Sequence, residues 1–495
     1  MKILCSATLA LAVAATTFAQ APHQAPHRAL AAKDDFATAG APLAAAKADP
    51  RVLAAIKQVS PNGIRTNIAR MVDFNNRTTI SSNDTDLKPG TGILAAADWI
   101  KAQFESYSKD CGGCLEVKVD EFIEPAQQVG FNGSRPRIVK PTLMRNVYAI
   151  LKGTDPVASK RMYLVTGHYD TRETDMMNTH DPAPGANDDS SGTAVSLESA
   201  RILSKYKFPA TLVFVAVAGE EQGLNGSAHM AKLARAQGWQ LEGVLNNDIV
   251  GGDTTPGDTL QDKTRVRVFS QGLLPSLPIE QIRAALNLGA ESETGGRQLA
   301  REILDVNRTY FPALKATPFR AVMELRLDRF QRGGDHRSFS EEGFSAVRFT
   351  EWRENFDHQH QHVRIENGKE FGDLIKFDDF SYIAQVARLN MATLATLANS
   401  PGIPQNVRVL TSSLDNDTIL VWDPPTAASG DVHYQIVWRE TAENDWHYAA
   451  DAARYPGTGA NTTRLPVSKD NVYFGIRACS AADACSQAVP PVPGR

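Results

Sequence analysis

After Ala15 this sequence has no apolar run long enough to cross a bilayer, which takes about 20 residues. It also lacks any basic run interleaved with aromatics, and its 56 acidic residues outnumber its 52 lysines and arginines for a formal net charge of -4. Nucleic acid and anionic membrane are therefore not expected as partners. Cysteine is scarce, with five in 495 residues. Neither a second nearby pair nor a thioredoxin-like context accompanies Cys111-Gly112-Gly113-Cys114, which argues against a structural zinc or redox reading.

The amino terminus is charged at Lys2, apolar from Ile3 to Ala15, and small at Thr17-Phe18-Ala19. That pattern predicts a signal peptide over 1–19 and a secreted or periplasmic mature protein without a membrane span. Its removal takes away Cys5 and leaves two close pairs. In an oxidising compartment these are expected to form local disulfides, Cys111–Cys114 and Cys479–Cys485.

At this length two or three units are expected. Residues 20–50, rich in Ala, Pro and His, read as a linker or pro-segment. Helical periodicity covers Val52–Val72 and Ile93–Tyr107, and Leu115–Val119 alternates as a strand. From residue 146 to 397 strand and helix patterns alternate. They predict an α/β unit over 51–398, with a mainly parallel mixed sheet and helices on both faces. After Asn399-Ser400-Pro401-Gly402 the runs become short and alternating, as in an all-β sandwich over 402–491.

Within the α/β unit, apolar runs end repeatedly in acidic or histidine motifs. These are Gly167-His168-Tyr169-Asp170, Ala186-Asn187-Asp188-Asp189, Gly219-Glu220-Glu221-Gln222-Gly223 and Asn246-Asn247-Asp248, with Asp357-His358-Gln359-His360 after a long gap. One histidine among the chain's 11 would mean little, since most are structural or solvated. The recurrence carries the argument, because side chains placed past strand ends converge at the carboxyl edge of a parallel sheet. Oxygen and imidazole donors together suit zinc. His168, Asp188, Glu221, Asp248 and His358 supply such a set.

Three of these motifs, extended to Pro184–Gly192 and Gly219–Ser227, resemble the secreted two-zinc aminopeptidases, relatives of the glutamate carboxypeptidase II group. The resemblance covers about residues 140–397 and implies two zinc ions. His168 and Asp248 would hold one, Glu221 and His358 the other, and Asp188 would bridge them. Glu220, beside a ligand but not itself one, would be the general base, and Asp170 would orient His168 from behind.

The last ligand stays open at this point. His358, His360 and His362 alternate, so in an extended segment His358 and His360 share a face and compete. Family members often have an Asp where this chain has His362. Tyr310 is a candidate for stabilising the oxyanion, and Asp335-His336 after Gly333-Gly334 for lining the pocket. Scattered positions from Pro404 through Trp422, Tyr434 and Tyr473 to Ala478 resemble a fibronectin type III domain, a module able to contact a surface or polymer. The expected activity is aminopeptidase action on peptides or proteins. A carboxypeptidase or dipeptidase of the same fold is the alternative, and an inactive surface- or partner-binding protein the reading of another class.

Overall fold

The computed structural model describes residues 39–129, 135–314, 318–412, 414–428 and 430–494. The expected signal peptide lies outside them. In chain order the elements are β1 (Ala41–Pro42), α1 (Pro50–Ile56), α2 (Pro61–Val72), α3 (Gly92–Asp110), β2 (Leu115–Glu124), β3 (Thr142–Leu151), β4 (Arg161–His168), α4 (Ser191–Leu203), β5 (Thr211–Val217), α5 (Asn225–Ala236) and β6 (Gln240–Asn247). There follow β7 (Arg265–Ser270), α6 (Ile279–Asn287), α7 (Gly295–Leu314), β8 (Arg320–Glu324), α8 (His336–Glu341), β9 (Ala346–Glu351), the β10–β11 hairpin (Arg364–Glu366, Lys369–Phe371) and α9 (Phe380–Asn399). The periodicity over 52–72 proves to be two helices. Pro61 starts the second, and the Ser60 hydroxyl caps it by accepting from Gly63 N at 3.1 Å.

An eight-stranded sheet in the order β2-β3-β5-β4-β6-β9-β7-β8 forms the centre. Its middle strands β5, β4, β6 and β9 are parallel, while β2, β3 and the β9–β7 pairing are antiparallel. The mixed α/β fold expected from the sequence is the fold observed.

Every residue of β5 is buried because both faces of the sheet are covered. Leu212, Phe214 and Ala216 pack with α2, α3, α4 and α9 on one side. Val213, Val215 and Val217 pack with Met230 of α5 and Phe339 of α8 on the other. Each such aliphatic or aromatic side chain contributes roughly 1.5–3 kcal/mol by leaving water. Strand β5 is thereby fixed in register, and with it the turn that follows.

Beyond α9 lie β12 (Gln405–Leu410), β13 (Thr418–Asp423), β14 (Val432–Glu440), β15 (Tyr448–Asp451), β16 (Thr462–Leu465), β17 (Val472–Ser480) and β18 (Val492–Gly494). They form two four-stranded sheets, β16-β13-β12-β18 and β1-β15-β14-β17. Trp422, Trp438, Leu420, Ile436 and Ile476 share their core. The edge strand β1 comes from the amino-terminal segment that lacks an apolar period. Its neighbour Ala39 is fully buried in the same core, and a Cβ on Gly40 would lie 2.1 Å from the Trp438 ring. Both expected disulfides, Cys111–Cys114 and Cys479–Cys485, are formed.

The two units are joined by polar contacts. Arg477 on β17 pairs with Asp305 on α7 at 2.8 Å, and Arg439 on β14 pairs with Glu293. Arg301 donates to Asn444 O at 2.8 Å, and the Tyr473 hydroxyl donates to Gly289 O at 2.7 Å.

Candidate metal centre

Close backbone approach draws the strand ends together. A Cβ on Gly192 would stand 2.1 Å from Asn247 O, and one on Gly167 would stand 2.4 Å from the carbonyl carbon of Gly192. Only glycine lets the start of α4 sit against the ends of β4 and β6. Gly185, at φ +51°, turns the chain into the Ala186–Ser190 segment, and a Cβ there would meet Thr171 Cγ2 at 2.0 Å.

His168 is the last residue of β4, and Asp248 follows β6 directly. Glu220 and Glu221 occupy the turn after β5, and Asp188 precedes α4. All therefore sit at the carboxyl edge of the parallel strands, where open α/β sheets place their sites.

His168 Nε2 lies 3.2 Å from Asp188 Oδ1 and 3.9 Å from Asp248 Oδ1. His360 Nε2 lies 2.8 Å from Asp188 Oδ2 and 2.7 Å from Glu221 Oε1. Two trios result, His168–Asp188–Asp248 and Asp188–Glu221–His360, each with one donor atom per residue inside 4.8 Å of the others. The buried atoms His168 Nε2, Glu221 Oε1 and His360 Nε2 have no hydrogen-bond partner among the described residues. These close approaches lack hydrogen-bond geometry. Buried polar atoms of this kind ordinarily have a partner, and a divalent cation in each trio would supply it. The donor set fits a pair of such ions that share the Asp188 carboxylate.

His358 is not in either trio, which corrects the expectation that it is the last ligand. Its Nδ1 lies 3.1 Å from Asp253 Oδ1, and its ring stacks on Phe377 with centroids 3.7 Å apart. The expectation assumed an extended segment. Residues 356–360 instead form a turn, and His360 adopts φ +55°. Neighbours two apart then face different ways, and His360 is the histidine that reaches Asp188 and Glu221. His362 is half-exposed and contacts Glu173 at 3.1 Å.

Asp170 lies behind the first trio. Its Oδ1 is 3.4 Å from His168 Nδ1, and its carboxylate accepts from Glu220 N at 3.3 Å, Glu221 N at 3.2 Å and the Thr79 hydroxyl at 3.1 Å. His168 Nδ1 makes its hydrogen bond to the main-chain carbonyl of Asp170 at 3.1 Å. Asp170 thus faces the imidazole through its backbone, while its carboxylate anchors the turn carrying both glutamates. Glu220 belongs to neither trio and lines the cleft. Burial pushes its carboxyl well above the usual range; His168 opposes that shift, while Asp248 and Glu221 add to it. For Asp188 burial acts in the same sense, but His360 and His168 outweigh it and hold the carboxyl well below its ordinary value.

Several supports carried no signal in the sequence. Asp373 accepts from Asn187 N at 2.8 Å and from Asp188 N at 2.7 Å, fixing the shared carboxylate by its own backbone. Asp189 accepts from His168 N at 3.0 Å and Gly192 N at 2.8 Å. Arg348, fully buried, reaches Asp248 Oδ1 at 2.7 Å and Asp328 Oδ2 at 2.9 Å. Tyr310, by contrast, packs in the hydrophobic core on α7 near the Thr396 hydroxyl and does not line the cleft. Gly333 lines the cleft, whereas Asp335 is buried behind it. Burial pushes the Asp335 carboxyl up to about 7, against the pull of His168.

The cleft holds about 480 Å³. Asp188, Glu220, Glu221, Asp248 and His360 are acidic or imidazole groups on its lining, and Arg137, Arg172, Arg329 and Arg332 also border it.

Residues 146–372 match the description of peptidase family M28. A probable zinc metalloprotease of Leptosphaeria maculans is 40% identical over 450 residues, which is 90% of this chain and 98% of that protein. One from Pyricularia oryzae is 42% identical over 465 residues, covering 92% of this chain and 87% of its own length. Among solved structures, the LapA aminopeptidase of Legionella pneumophila is 17% identical with a TM-score of 0.48, covering 72% of this chain and 77% of LapA. With the curated relatives matched across nearly their whole length, this chain belongs to peptidase family M28.

Proposed function

We propose that this chain is a zinc-dependent exopeptidase that holds two ions and, by first choice, releases amino-terminal residues from peptides. The observation that carries this reading is the pair of donor trios sharing Asp188, with Glu220 beside them but in neither. The names of the curated relatives support zinc as the ion.

His168 and Asp248 would hold one ion and Glu221 and His360 the other, with Asp188 available to both. When bound, the ions supply Lewis-acid polarisation of the scissile carbonyl and lower the pKa of the attacking water. Glu220 takes the water's proton and delivers it to the leaving nitrogen, which needs a carboxylate free of other ligation. Asp170 keeps the His168 ring in place through Nδ1 and holds the backbone of Glu220. The likeness of the His168, Asp188 and Glu221 motifs to those of two-zinc aminopeptidases supports the amino-terminal choice. A carboxypeptidase or dipeptidase is the second reading, favoured by the arginines on the walls.

The protein acts outside the cytoplasm in this reading. The amino-terminal pattern supports export, and two disulfides suit an oxidising compartment. The carboxyl-terminal pair of sheets is a fibronectin type III-like module, a reading supported by its alternating strands and tryptophan core.

Chelation should abolish peptide hydrolysis and zinc should restore it, with two zinc ions per chain by elemental mass spectrometry. Glu220→Gln should keep both ions while losing at least about 10²-fold in kcat. Near-normal turnover in that variant would remove Glu220 as the base, and full activity after metal removal would end the zinc reading.

A further inference from the structure

The cleft is lined by four arginines and four carboxylates, Asp188, Glu220, Glu221 and Asp248. Three of those carboxylates belong to the metal trios, and Glu220 is the free one. Two of the arginines are already matched. Arg329 pairs with Asp328 at 2.9 Å and with Glu354 at 2.7 Å, and Arg172 donates to Glu221 Oε2 at 2.9 Å.

The other two are not. Arg137 donates through Nη1 to the main-chain carbonyl of Glu221 at 2.7 Å, and its buried Nε has no hydrogen-bond partner among the described residues. It forms no ion pair within contact distance among the described residues; burial and the nearby Arg172 charge disfavour its cationic form, and the Glu221 and Glu220 carboxylates favour it only from farther away. Arg332 borders the same cleft and likewise has no carboxylate partner among the described residues. Partly desolvating a guanidinium with no carboxylate in contact costs free energy, and here the nearest carboxylates are assigned to the ions and to proton transfer. Setting two of them beside a reaction centre therefore calls for an anionic group that arrives with the substrate. A planar guanidinium matches a carboxylate in a bidentate fork.

We infer that Arg137 and Arg332 bind a carboxylate of the substrate, so that this site selects peptides carrying a negative charge next to the scissile bond. That inference rests on the peptidase reading above and narrows its substrate class. Two sources share the chemistry: an acidic side chain on the terminal residue, and the free carboxyl terminus of a short peptide. In either case the scissile bond lies over the donor trios and the substrate's carboxylate against the arginine wall. Arg137 bridges both regions, because its own contact is the carbonyl of the proposed ligand Glu221.

The test has two arms on the zinc-loaded full-length protein. The first compares kcat/KM for peptide pairs with amino-terminal Glu or Gln, and the second for dipeptides with free or amidated carboxyl termini. At least tenfold preference for the charged member of one pair is expected, and the arm that shows it identifies the source. Arg332→Ala and Arg137→Ala should each reduce that preference severalfold, through KM more than through kcat. Calorimetry with glutarate and its neutral diamide gives a readout independent of turnover. Glutarate should bind more tightly, and by a margin that shrinks in the double variant. Equal kcat/KM within both pairs, or a glutarate preference untouched by both substitutions, overturns the inference. If no peptide is hydrolysed while the glutarate preference still follows the arginines, it is the peptidase reading that fails.

Discussion

His360 Nε2 stands 2.8 Å from Asp188 Oδ2, and His358, two residues earlier, turns its ring onto Phe377 instead. The two histidines therefore make opposite demands when removed. His360→Ala takes an imidazole from the second trio and leaves Glu221 and Asp188 facing each other without it. That variant should bind one zinc rather than two and lose at least about 10²-fold in activity. His358→Ala deletes a contact to Asp253 and a ring stack, both outside the trios. It should keep two zinc ions and cost stability of about 1–3 kcal/mol. Metal content by elemental mass spectrometry distinguishes them, and the reverse pattern would restore His358 as the ligand.

Arg77 links the amino-terminal helices to the metal centre. Its side chain is fully buried and all five of its N–H donors are used. Nε donates to Tyr169 O at 2.7 Å; Nη1 donates to Met71 O at 2.7 Å and Pro184 O at 2.8 Å. Nη2 donates to Gly185 O at 3.1 Å and the Ser190 hydroxyl at 2.7 Å. One guanidinium thus ties the segments that bear Asp170 and Asp188. Arg77→Lys offers three donors on a flexible stem and leaves acceptors unmatched. A loss of about 2–5 kcal/mol in urea unfolding is expected, with weakened zinc retention. A change under about 1 kcal/mol would show that water or repacking serves those carbonyls equally well.

The order of strands and helices around β4, β5 and β6 was legible because each apolar run ends in a residue that has a task. Burial on both faces makes such runs continuous, and the strand-end rule does the rest. The supports were not legible. Arg77 finds its acceptors at Tyr169, Pro184, Gly185 and Ser190, about a hundred residues away along the chain. A buried arginine reads locally like an exposed one. Strands β7 and β8 escaped because they lie outside the group of strands whose ends carry the metal-centre residues. The choice between His358 and His360 depended on a turn at φ +55°, a conformation that no alternation of residue types encodes. The strand β1 was hidden for a different reason. Two residues on an edge need backbone partners and little apolar content.

The boundary between the two units gives a prediction with pH. Glu302 on α7 is buried, and burial pushes its carboxyl up to about 8, with Asp305 adding to the shift and Arg477 opposing it. Arg477 approaches Glu302 only to 3.9 Å, because Asp305 takes the closer position at 2.8 Å. In the unfolded chain the same glutamate titrates near 4.3. Between those values the folded protein keeps a proton that the unfolded chain has released. Stability from this group is therefore complete below about pH 4.3 and is lost as pH rises toward 8. Glu302→Gln removes the titration while keeping shape and hydrogen-bonding capacity. Its Tm should match that of the parent near pH 4.5 and exceed it by several degrees near pH 8. The comparison is a pair of thermal melts across that range. A constant Tm difference at all pH values would mean that Glu302 is ionised throughout, held by Arg477 despite the longer contact.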